Sequence, residues 1–110
     1  MTFQVRLTDE AAAKVQQIQD WIAERSPAGA EKWLDALGEA LLRLKQRGPA
    51  FDVAPESSLF PEPLRQILFR TRKGHTCRAL FVVRGENVHV VTVRGFGQDL
   101  VSPGDVVLPN

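Results

Sequence analysis

The chain has 110 residues, of which 44 % are hydrophobic and 25 % charged, a composition typical of a globular domain with one hydrophobic core. Its single cysteine excludes an intramolecular disulfide, and no apolar run approaches the ~20 residues of a membrane-spanning helix. The N-terminal residues alternate in polarity and lack the basic-then-apolar plan of a signal peptide. We therefore expect one domain over residues 1–110, a cytoplasmic location and no membrane partner.

The charge is unevenly distributed, although the net charge is only +1. Residues 1–63 hold seven Lys and Arg against ten Asp and Glu, whereas residues 64–99 hold seven Lys and Arg against two Asp and Glu. A basic second half is typical of proteins with an anionic partner, such as nucleic acid or an acidic protein. Acidic helices that lie against a basic sheet and neutralise it internally would give the same pattern, so both interpretations stay open.

The first half of the chain predicts a strand followed by two helices. Residues 2–7 alternate between apolar and polar side chains, as in a half-buried strand, and Thr8 stands at a helix N-cap position. Ser26 and Pro27 separate the helices as cap and first helical residue, and the second helix should end before Gly48. So short a link predicts an antiparallel helical hairpin. The predicted core stripes are Ala11, Val15, Ile18 and Ile22 in the first helix, and Leu34, Leu37, Leu41 and Leu44 in the second.

The second half predicts a loop, three strands and a tail. Residues 48–63 contain four prolines and no periodicity, so we expect an ordered surface loop. Its predicted anchors are Phe51, Val53, Leu59 and Phe60. Strands follow over residues 64–70, 77–83 and 88–94, and we expect the tail, residues 96–110, to be extended. The predicted fold class is α+β, with an N-terminal strand, an antiparallel helical hairpin and a three-stranded antiparallel meander in two layers. Such a domain leaves one sheet face open to a partner.

Side chains alternate between the two faces of a sheet along each strand, and this alternation predicts which face the arginines of the predicted hairpin occupy. Alternate residues of its first strand are all apolar and should face the helices; they are Cys77, Ala79, Phe81 and Val83. The outward face then holds Arg78, Leu80, Val82 and Arg84. Arginines on an open sheet face suit phosphate groups or acidic proteins.

The position of Arg94 depends on the turn between the last two strands. Gly85 stands where a two-residue type II′ turn favours glycine. That turn pairs Val83 with Val88 and places Arg94 opposite Cys77, whereas a three-residue loop places Arg94 opposite Arg78. Turn chemistry favours the first register, but the residues alone leave the second open.

The remaining candidate residues point to structural roles. His75 and Cys77 fall short of the four donors that zinc usually needs, so we expect no metal and no cofactor. Cys77 has no acid–base partner in the sequence pattern, and we interpret it as a buried core residue. Trp21 and Trp33 we interpret as packing between the two helices.

Three stretches of the chain carry a resemblance to a known family. They are VRLTDEAAAKVQQIQDWIAERSPAGAEKWLDAL, PEPLRQILFRTRKG and CRALFVVRGENVHVVTVRG. The first looks like an opening strand and helical hairpin, and the last like an arginine, an aliphatic-aromatic strand, an acidic-glycine turn and a valine-rich last strand. In this order they resemble the RelE/ParE superfamily of toxins from bacterial type II toxin–antitoxin (plasmid stabilisation) systems. The resemblance covers residues 2–99 and implies the strand–helix–helix–three-strand plan.

The resemblance implies one of two activities. RelE-like members are ribosome-dependent endonucleases that cut messenger RNA with basic residues and often a C-terminal tyrosine, whereas ParE-like members inhibit DNA gyrase. Arg78 matches the middle-strand arginine that RelE-like nucleases use near the scissile phosphate. However, Gly97 and Gln98 replace the family's basic pair after the last strand, and the chain contains no tyrosine. These departures favour the ParE-like branch, so no catalytic residue is assigned; a nuclease would use Arg78 and His89.

The predicted function is that of a toxin that inhibits growth by binding a macromolecular target such as DNA gyrase. A small acidic antitoxin should neutralise it by wrapping the helices, covering the basic sheet and pairing with a sheet edge. One alternative is a RelE-like endoribonuclease acting on ribosome-bound mRNA, which would make the chain an enzyme; another is an inactive homologue that only binds its antitoxin. The residues assigned to target or antitoxin binding are Arg70, Arg72, Lys73, Arg78, Arg84 and Arg94.

Overall fold

A computed structural model describes residues 2–72, 74–95 and 100–109. Two helices and four strands follow one another in the predicted order. The elements are β1 (Gln4–Leu7), α1 (Asp9–Ala23), α2 (Pro27–Arg47), β2 (Arg65–Phe69), β3 (Cys77–Arg84) and β4 (Asn87–Arg94), with short 3₁₀ turns at Gly48–Ala50, Pro55–Leu59 and Pro103–Asp105. Neither helix is long and apolar enough to cross a membrane, and the same holds throughout the described residues.

The four strands form one sheet in the order β1-β4-β3-β2. The chain's last strand thus lies beside its first, and these two run parallel, while the β2–β3 and β3–β4 pairs are antiparallel. The two helices form the connection that a parallel pair requires between β1 and the rest of the sheet. The α+β fold class and the three-stranded meander are therefore confirmed.

The predicted caps begin both helices. The Ala11 N–H donates to Thr8 Oγ1 at 3.2 Å, and the Gly29 N–H donates to Ser26 Oγ at 3.0 Å. Pro27 occupies the first turn of α2, where its missing N–H costs no helical hydrogen bond. These side chains satisfy N–H groups that a helix start would otherwise leave unpaired.

The helices pack on one sheet face and form the first core. Trp33, Leu37 and Leu44 of α2 are buried against Phe81 and Val90 of the sheet. The predicted α2 stripe is wrong at Leu34, whose exposed fraction is 41 %, because the helix turns Trp33 inward in its place. The buried α2 positions are Ala30, Trp33, Leu37, Ala40 and Leu44.

The neighbouring leucines of α2 give a direct test of this helix orientation. Replacing Leu37, 2 % exposed, with Ala should cost about 2–5 kcal/mol of unfolding free energy, because the surrounding core cannot collapse fully into the cavity. The matched Leu34→Ala change should cost about 1 kcal/mol or less, since Leu34 lies at the surface. Chemical denaturation of both variants measures the two losses. Equal losses would contradict the observed orientation.

A second core covers the sheet face that was expected to be open. Leu80 and Val82 of β3 are fully buried there, and side chains of the loop and tail lie over them. The covering residues are Ala54, Phe60, Leu64, Val101, Val106 and Leu108. The expectation of an open face is therefore wrong. The sequence of β3 already contains the physical reason for covering this face. Leaving the side chains of Leu80 and Val82 in water would forgo about 1.5–3 kcal/mol each.

The loop before β2 is ordered, as predicted, but two of its four predicted anchors are wrong. Phe51 packs against the first core and Phe60 against the second. Val53 and Leu59 are instead 50 % and 58 % exposed. Val53 pairs through its backbone with Arg65, which holds this part of the loop along the edge of β2.

The β3–β4 hairpin combines the predicted turn with a bulge that the sequence did not reveal. Arg84 pairs with Asn87 across a two-residue turn, and Gly85 has the positive φ (61°) that a type II′ turn requires. Val83 pairs with Val88, which confirms the favoured register at the turn.

The β-bulge then reverses the predicted position of Arg94. Phe81 pairs with Val90 but Leu80 pairs with Thr92, so Val91 is an extra residue in β4. Beyond it, Arg94 lies opposite Arg78 and not opposite Cys77. The bulge lies where β1 ends, and Thr8 holds the carbonyls there: its N–H donates to Val90 O at 3.0 Å and its hydroxyl to Val91 O at 3.5 Å.

Candidate partner-binding site

Arg78, the centre of the predicted basic face, forms a buried ion pair. Its Nη1 and Nη2 donate to the two carboxylate oxygens of Glu56 at 2.9 and 2.7 Å, and Nη1 also donates to Gln66 Oε1 at 3.0 Å. The Glu56 side chain is only 1 % exposed and that of Arg78 is 17 % exposed. Glu56 also accepts the Val101 N–H at 2.9 Å, so one carboxylate joins the loop, β3 and the tail.

The environment of Glu56 favours its charged form. The hydrogen bonds from Arg78 and, to a smaller extent, the Val101 N–H together lower the pKa of Glu56 to about 2, against the opposing effect of burial. A bidentate guanidinium–carboxylate pair with an additional backbone donor satisfies most of the carboxylate's hydrogen-bonding capacity. The Arg78–Glu56 pair is thus a structural junction between three segments.

Arg84 and Arg94 are also neutralised by acids of the same chain. Arg84 donates to both oxygens of Glu62, at 2.6 and 3.1 Å, and to the Pro109 carbonyl at 2.6 Å. Its hydrogen bonds lower the pKa of Glu62. Arg94 reaches Asp105 at 3.3 Å. The basic sheet is thus neutralised within the chain at these three arginines, but by acids of the loop and the tail and not by acidic helices, as one interpretation of the sequence expected.

The fold does not place Arg78 next to His89, the two residues that a RelE-like nuclease would use. Arg78 and His89 share the outer face, but His89 lies opposite Val82, four residues along β3 from Arg78. At about 3.3 Å per strand residue, the two backbone positions are about 13 Å apart along the sheet, so the two residues are not cross-strand neighbours. The guanidinium of Arg78 is moreover occupied by Glu56 and Gln66.

Arg70 and Arg72 are the predicted binding residues that stay available. Both lie in the connector between β2 and β3, both are exposed, and neither forms an ion pair with another described residue. Lys73, the third basic residue of this connector, lies outside the described residues, as do Gly97 and Gln98. The described arginines that were assigned to binding and stay available thus lie together, at one end of the sheet.

An apolar cleft lies between α1 and this connector. Its volume is about 620 Å³. It is lined by Gln17, Ile18, Trp21, Ile22, Trp33, Thr71, Gly74, His75, Cys77 and Gly95. Cys77 is buried, as predicted. Among the described residues, no group of three or more His, Cys, Asp and Glu side chains is arranged to hold a metal ion.

The two tryptophans meet this cleft in different ways. Trp33 is 4 % exposed and packs against Phe69, with ring centroids 5.8 Å apart. Its indole N–H is buried and has no hydrogen-bond partner among the described residues. Trp21 is 58 % exposed, so its assignment to inter-helix packing is wrong. The guanidinium of Arg25 lies 3.8 Å from the centre of its ring and donates to the Trp21 carbonyl.

A second groove, of about 490 Å³, lies between β1 and α2. It contains Leu42, which is 56 % exposed, and Gly38, where an added Cβ would meet no atom within 4 Å. Its basic side chains are Arg6 and Lys45. Unlike the cleft, it contains no aromatic side chain other than Phe3 and lies along the free edge of β1.

Comparison with known proteins agrees with this architecture. The family model of the ParE toxin of the type II toxin–antitoxin system parDE matches residues 5–100. The chain belongs to the ParE toxin family. The predicted membership of the RelE/ParE superfamily, on its ParE-like branch, is confirmed.

A solved structure shows the same fold. It is a chain described as the chromosomal ParDE toxin–antitoxin system from P. aeruginosa, with a TM-score of 0.65 and 20 % sequence identity. The match covers 86 % of the present chain and 96 % of the P. aeruginosa chain. A search of curated proteins found no match. The ParE family membership implies a cognate antitoxin as partner.

Sequence reasoning named the connector arginines, whose role in binding stays a prediction, but it did not reveal the cleft. The cleft forms because the end of α1 and the β2–β3 connector come together only in the folded chain. One signal was present: Trp21 stands directly before Ile22 of the predicted core stripe, where a large aromatic side chain has to lie at the margin of the core.

Proposed function

We propose that this ParE-family toxin inhibits growth by binding a macromolecular target of the DNA gyrase kind, and that a small acidic antitoxin neutralises it. The observation that carries the proposal is the ParE family match over residues 5–100. The engagement of Arg78 supports a binding mode, because a RelE-like mechanism needs that guanidinium at the scissile phosphate, where it would stabilise developing charge. In this fold, Glu56 holds the guanidinium instead.

The proposed antitoxin contact differs from the sequence-based expectation. The outer sheet face is closed by the tail, so the antitoxin cannot cover the sheet there without displacing the second core. The surfaces that stay available are the apolar cleft, the connector that carries the exposed Arg70 and Arg72, and the groove along β1. Binding by an acidic protein is consistent with the exposed cations of the connector.

A supercoiling assay tests the proposed target. Purified toxin should inhibit the ATP-dependent supercoiling of relaxed plasmid by DNA gyrase, and prior mixing with its antitoxin should restore it. Relaxation of the supercoiled form of the same plasmid by topoisomerase I, with toxin present, serves as a control for effects on the DNA itself. Full supercoiling at a large molar excess of toxin would overturn the gyrase proposal.

Measurements of cell growth and of mRNA cleavage distinguish the proposal from the two alternatives, an inactive homologue and a RelE-like endoribonuclease. Expression of the toxin alone should arrest growth, whereas an inactive homologue would leave growth unaffected. Primer extension on messages from arrested cells should show no toxin-dependent cleavage on ribosomes. Cleavage at specific ribosome-bound sites would instead favour the RelE-like mechanism.

A further inference from the structure

We propose that the toxin forms a symmetric dimer through a second face of α2, with the two helices antiparallel and crossing at Gly38. This second face lies beside the buried stripe of the helix and consists of five exposed residues, Glu31, Leu34, Gly38, Leu42 and Lys45. The partner is a second copy of this chain, so the inference does not depend on which target the toxin inhibits.

Helical spacing places the five residues on one side of α2. Glu31, Gly38 and Lys45 follow one another at seven-residue intervals, which correspond to about two turns. Leu34 stands about one turn before Gly38, and Leu42 about one turn after it. The buried residues of α2 occupy a different side of the helix, so the first core leaves the second face in water.

The second face keeps two large aliphatic side chains in water. Leu34 is 41 % exposed and Leu42 is 56 % exposed, and their burial by a partner is favourable. Both stand four residues from Gly38, on opposite sides of it. In an antiparallel pair of helices that crosses at Gly38, Leu34 of one copy therefore lies against Leu42 of the other. The two-fold symmetry makes this contact twice.

Gly38 is a residue that the single chain does not explain. It lies inside the 21-residue helix α2, where glycine weakens the helix. A Cβ added there would meet no atom within 4 Å, so no close approach within the chain requires glycine. The missing side chain does allow the backbone of a second helix to come close. A dimer that crosses at Gly38 gives this residue a role.

The charges at the two ends of the second face complement one another in an antiparallel pair. Glu31 stands seven residues before Gly38 and Lys45 seven residues after it, so each Glu31 meets Lys45 of the other copy. Neither side chain forms an ion pair with another described residue of its own chain. A parallel pair would place each of them beside its own equivalent, where like charges repel.

The same pattern of charges disfavours other occupants. Nucleic acid would bring phosphates to Glu31, which repels them, and a uniformly acidic peptide would meet the same repulsion. A second copy in antiparallel orientation supplies an opposite charge at each end of the face and an apolar side chain for each exposed leucine. The second face is thus self-complementary, as a two-fold interface requires.

Sedimentation of the full-length toxin, purified without antitoxin, tests the dimer. One pair of helices forms a small interface, so we expect a reversible equilibrium whose dimer fraction rises with protein concentration. Analytical ultracentrifugation should show a 12.2 kDa monomer at low concentration and a species of twice that mass at high concentration. A monomer at every concentration up to the solubility limit would overturn the proposal and leave the toxin–antitoxin function standing.

An exchange of charges tests the antiparallel orientation. Glu31→Lys and Lys45→Glu should each weaken the dimer by at least about tenfold, because each change creates two like-charge contacts. The double change Glu31→Lys with Lys45→Glu should return the dissociation constant to within about threefold of the wild-type value. An equimolar mixture of the two single variants should likewise form a mixed dimer. Losses in the single variants with no recovery in either case would overturn the proposed contact.

Gly38→Gln tests the crossing point and distinguishes it from a structural role. Glutamine is the better helix former and has open space in the single chain, so the melting temperature of the dilute monomer should rise. The dimer should nevertheless weaken by at least about tenfold, because the new side chain separates the two helices. Ala28→Gln is the matched control, at an exposed α2 residue outside the second face, and should change the dissociation constant by less than about threefold.

Leu42→Ala tests the apolar contact in the same experiment. It should weaken the dimer by at least about tenfold, because the contact with Leu34 is lost twice. The control is Leu59→Ala, since Leu59 is similarly exposed, at 58 %, but lies in the loop before β2. A dimer that persists unchanged in Gly38→Gln and Leu42→Ala, or that the two controls weaken equally, would show that another surface joins the copies and would overturn the proposal.

Discussion

Replacing Glu56 with Gln should destabilise the protein by about 3–5 kcal/mol, although the change only replaces one carboxylate oxygen with an amide NH₂ group. The variant keeps the volume of the side chain but leaves the Arg78 guanidinium, 17 % exposed, without its counter-charge. Removing one partner of a buried ion pair costs more than the pair contributes, because the remaining charge is left desolvated. Urea unfolding at pH 7 measures the loss as a lower midpoint at unchanged slope.

Glu62→Gln is the matched control for this prediction. The Glu62–Arg84 pair has the same bidentate geometry, but its side chains are 25 % and 35 % exposed, so solvent can replace much of the lost interaction. Its loss should be about 1 kcal/mol or less. The double change Glu56→Leu with Arg78→Met should recover part of the loss at Glu56, since it removes both buried charges. Equal losses at Glu56 and Glu62 would contradict the structural junction.

Stability should also fall steeply in acid, and Glu56 should be responsible for a large share of the fall. The folded-state pKa of Glu56 is about 2, below its ordinary value of 4.5. Its contribution is therefore complete above pH 4.5 and is lost as the pH falls toward 2, because protonation then favours the unfolded chain. The size of the shift corresponds to about 3 kcal/mol.

The acid dependence is checked by measuring unfolding free energy between pH 2 and pH 7. The wild-type protein should lose stability across this range more steeply than Glu56→Gln, in which the group that titrates is absent. Glu62 and Asp105 also have lowered pKa values, so a smaller acid dependence should persist in the variant. Parallel profiles for the two proteins would show that Glu56 does not carry the effect.

The closed outer face changes how the basic half of the chain is to be interpreted. Three of the arginines that suggested an anionic partner hold the loop and the tail in place: Arg78 through Glu56, Arg84 through Glu62 and Pro109, and Arg94 through Asp105. Of the described residues that were assigned to partner binding, Arg70 and Arg72 are the ones that stay exposed without an ion pair. A basic sequence segment can thus serve internal cohesion and partner binding through different residues.

Helix caps and the hairpin turn could be predicted from the sequence, because they depend on interactions between residues close to one another in the chain. Thr8 and Ser26 cap the helices because a short polar side chain before a helical stretch can accept from a free N–H, whatever the rest of the fold does. Gly85 predicted the turn because its positive φ is strained for other residues. Leu34 was misplaced because two adjacent large apolar residues, Trp33 and Leu34, compete for one face, and packing decides between them.

The sequence by itself determined the order of elements, the caps, the turn and the α+β class, because these follow from contacts between residues near one another in the chain. Only the tertiary structure decided the bulge at Val91, the covering of the outer face and the pairing of Arg78 with Glu56. Each of these joins segments far apart in sequence. A single extra residue in β4 moves Arg94 to the other face of the sheet, and a tail that buries Val101 turns an apparent binding surface into a second core.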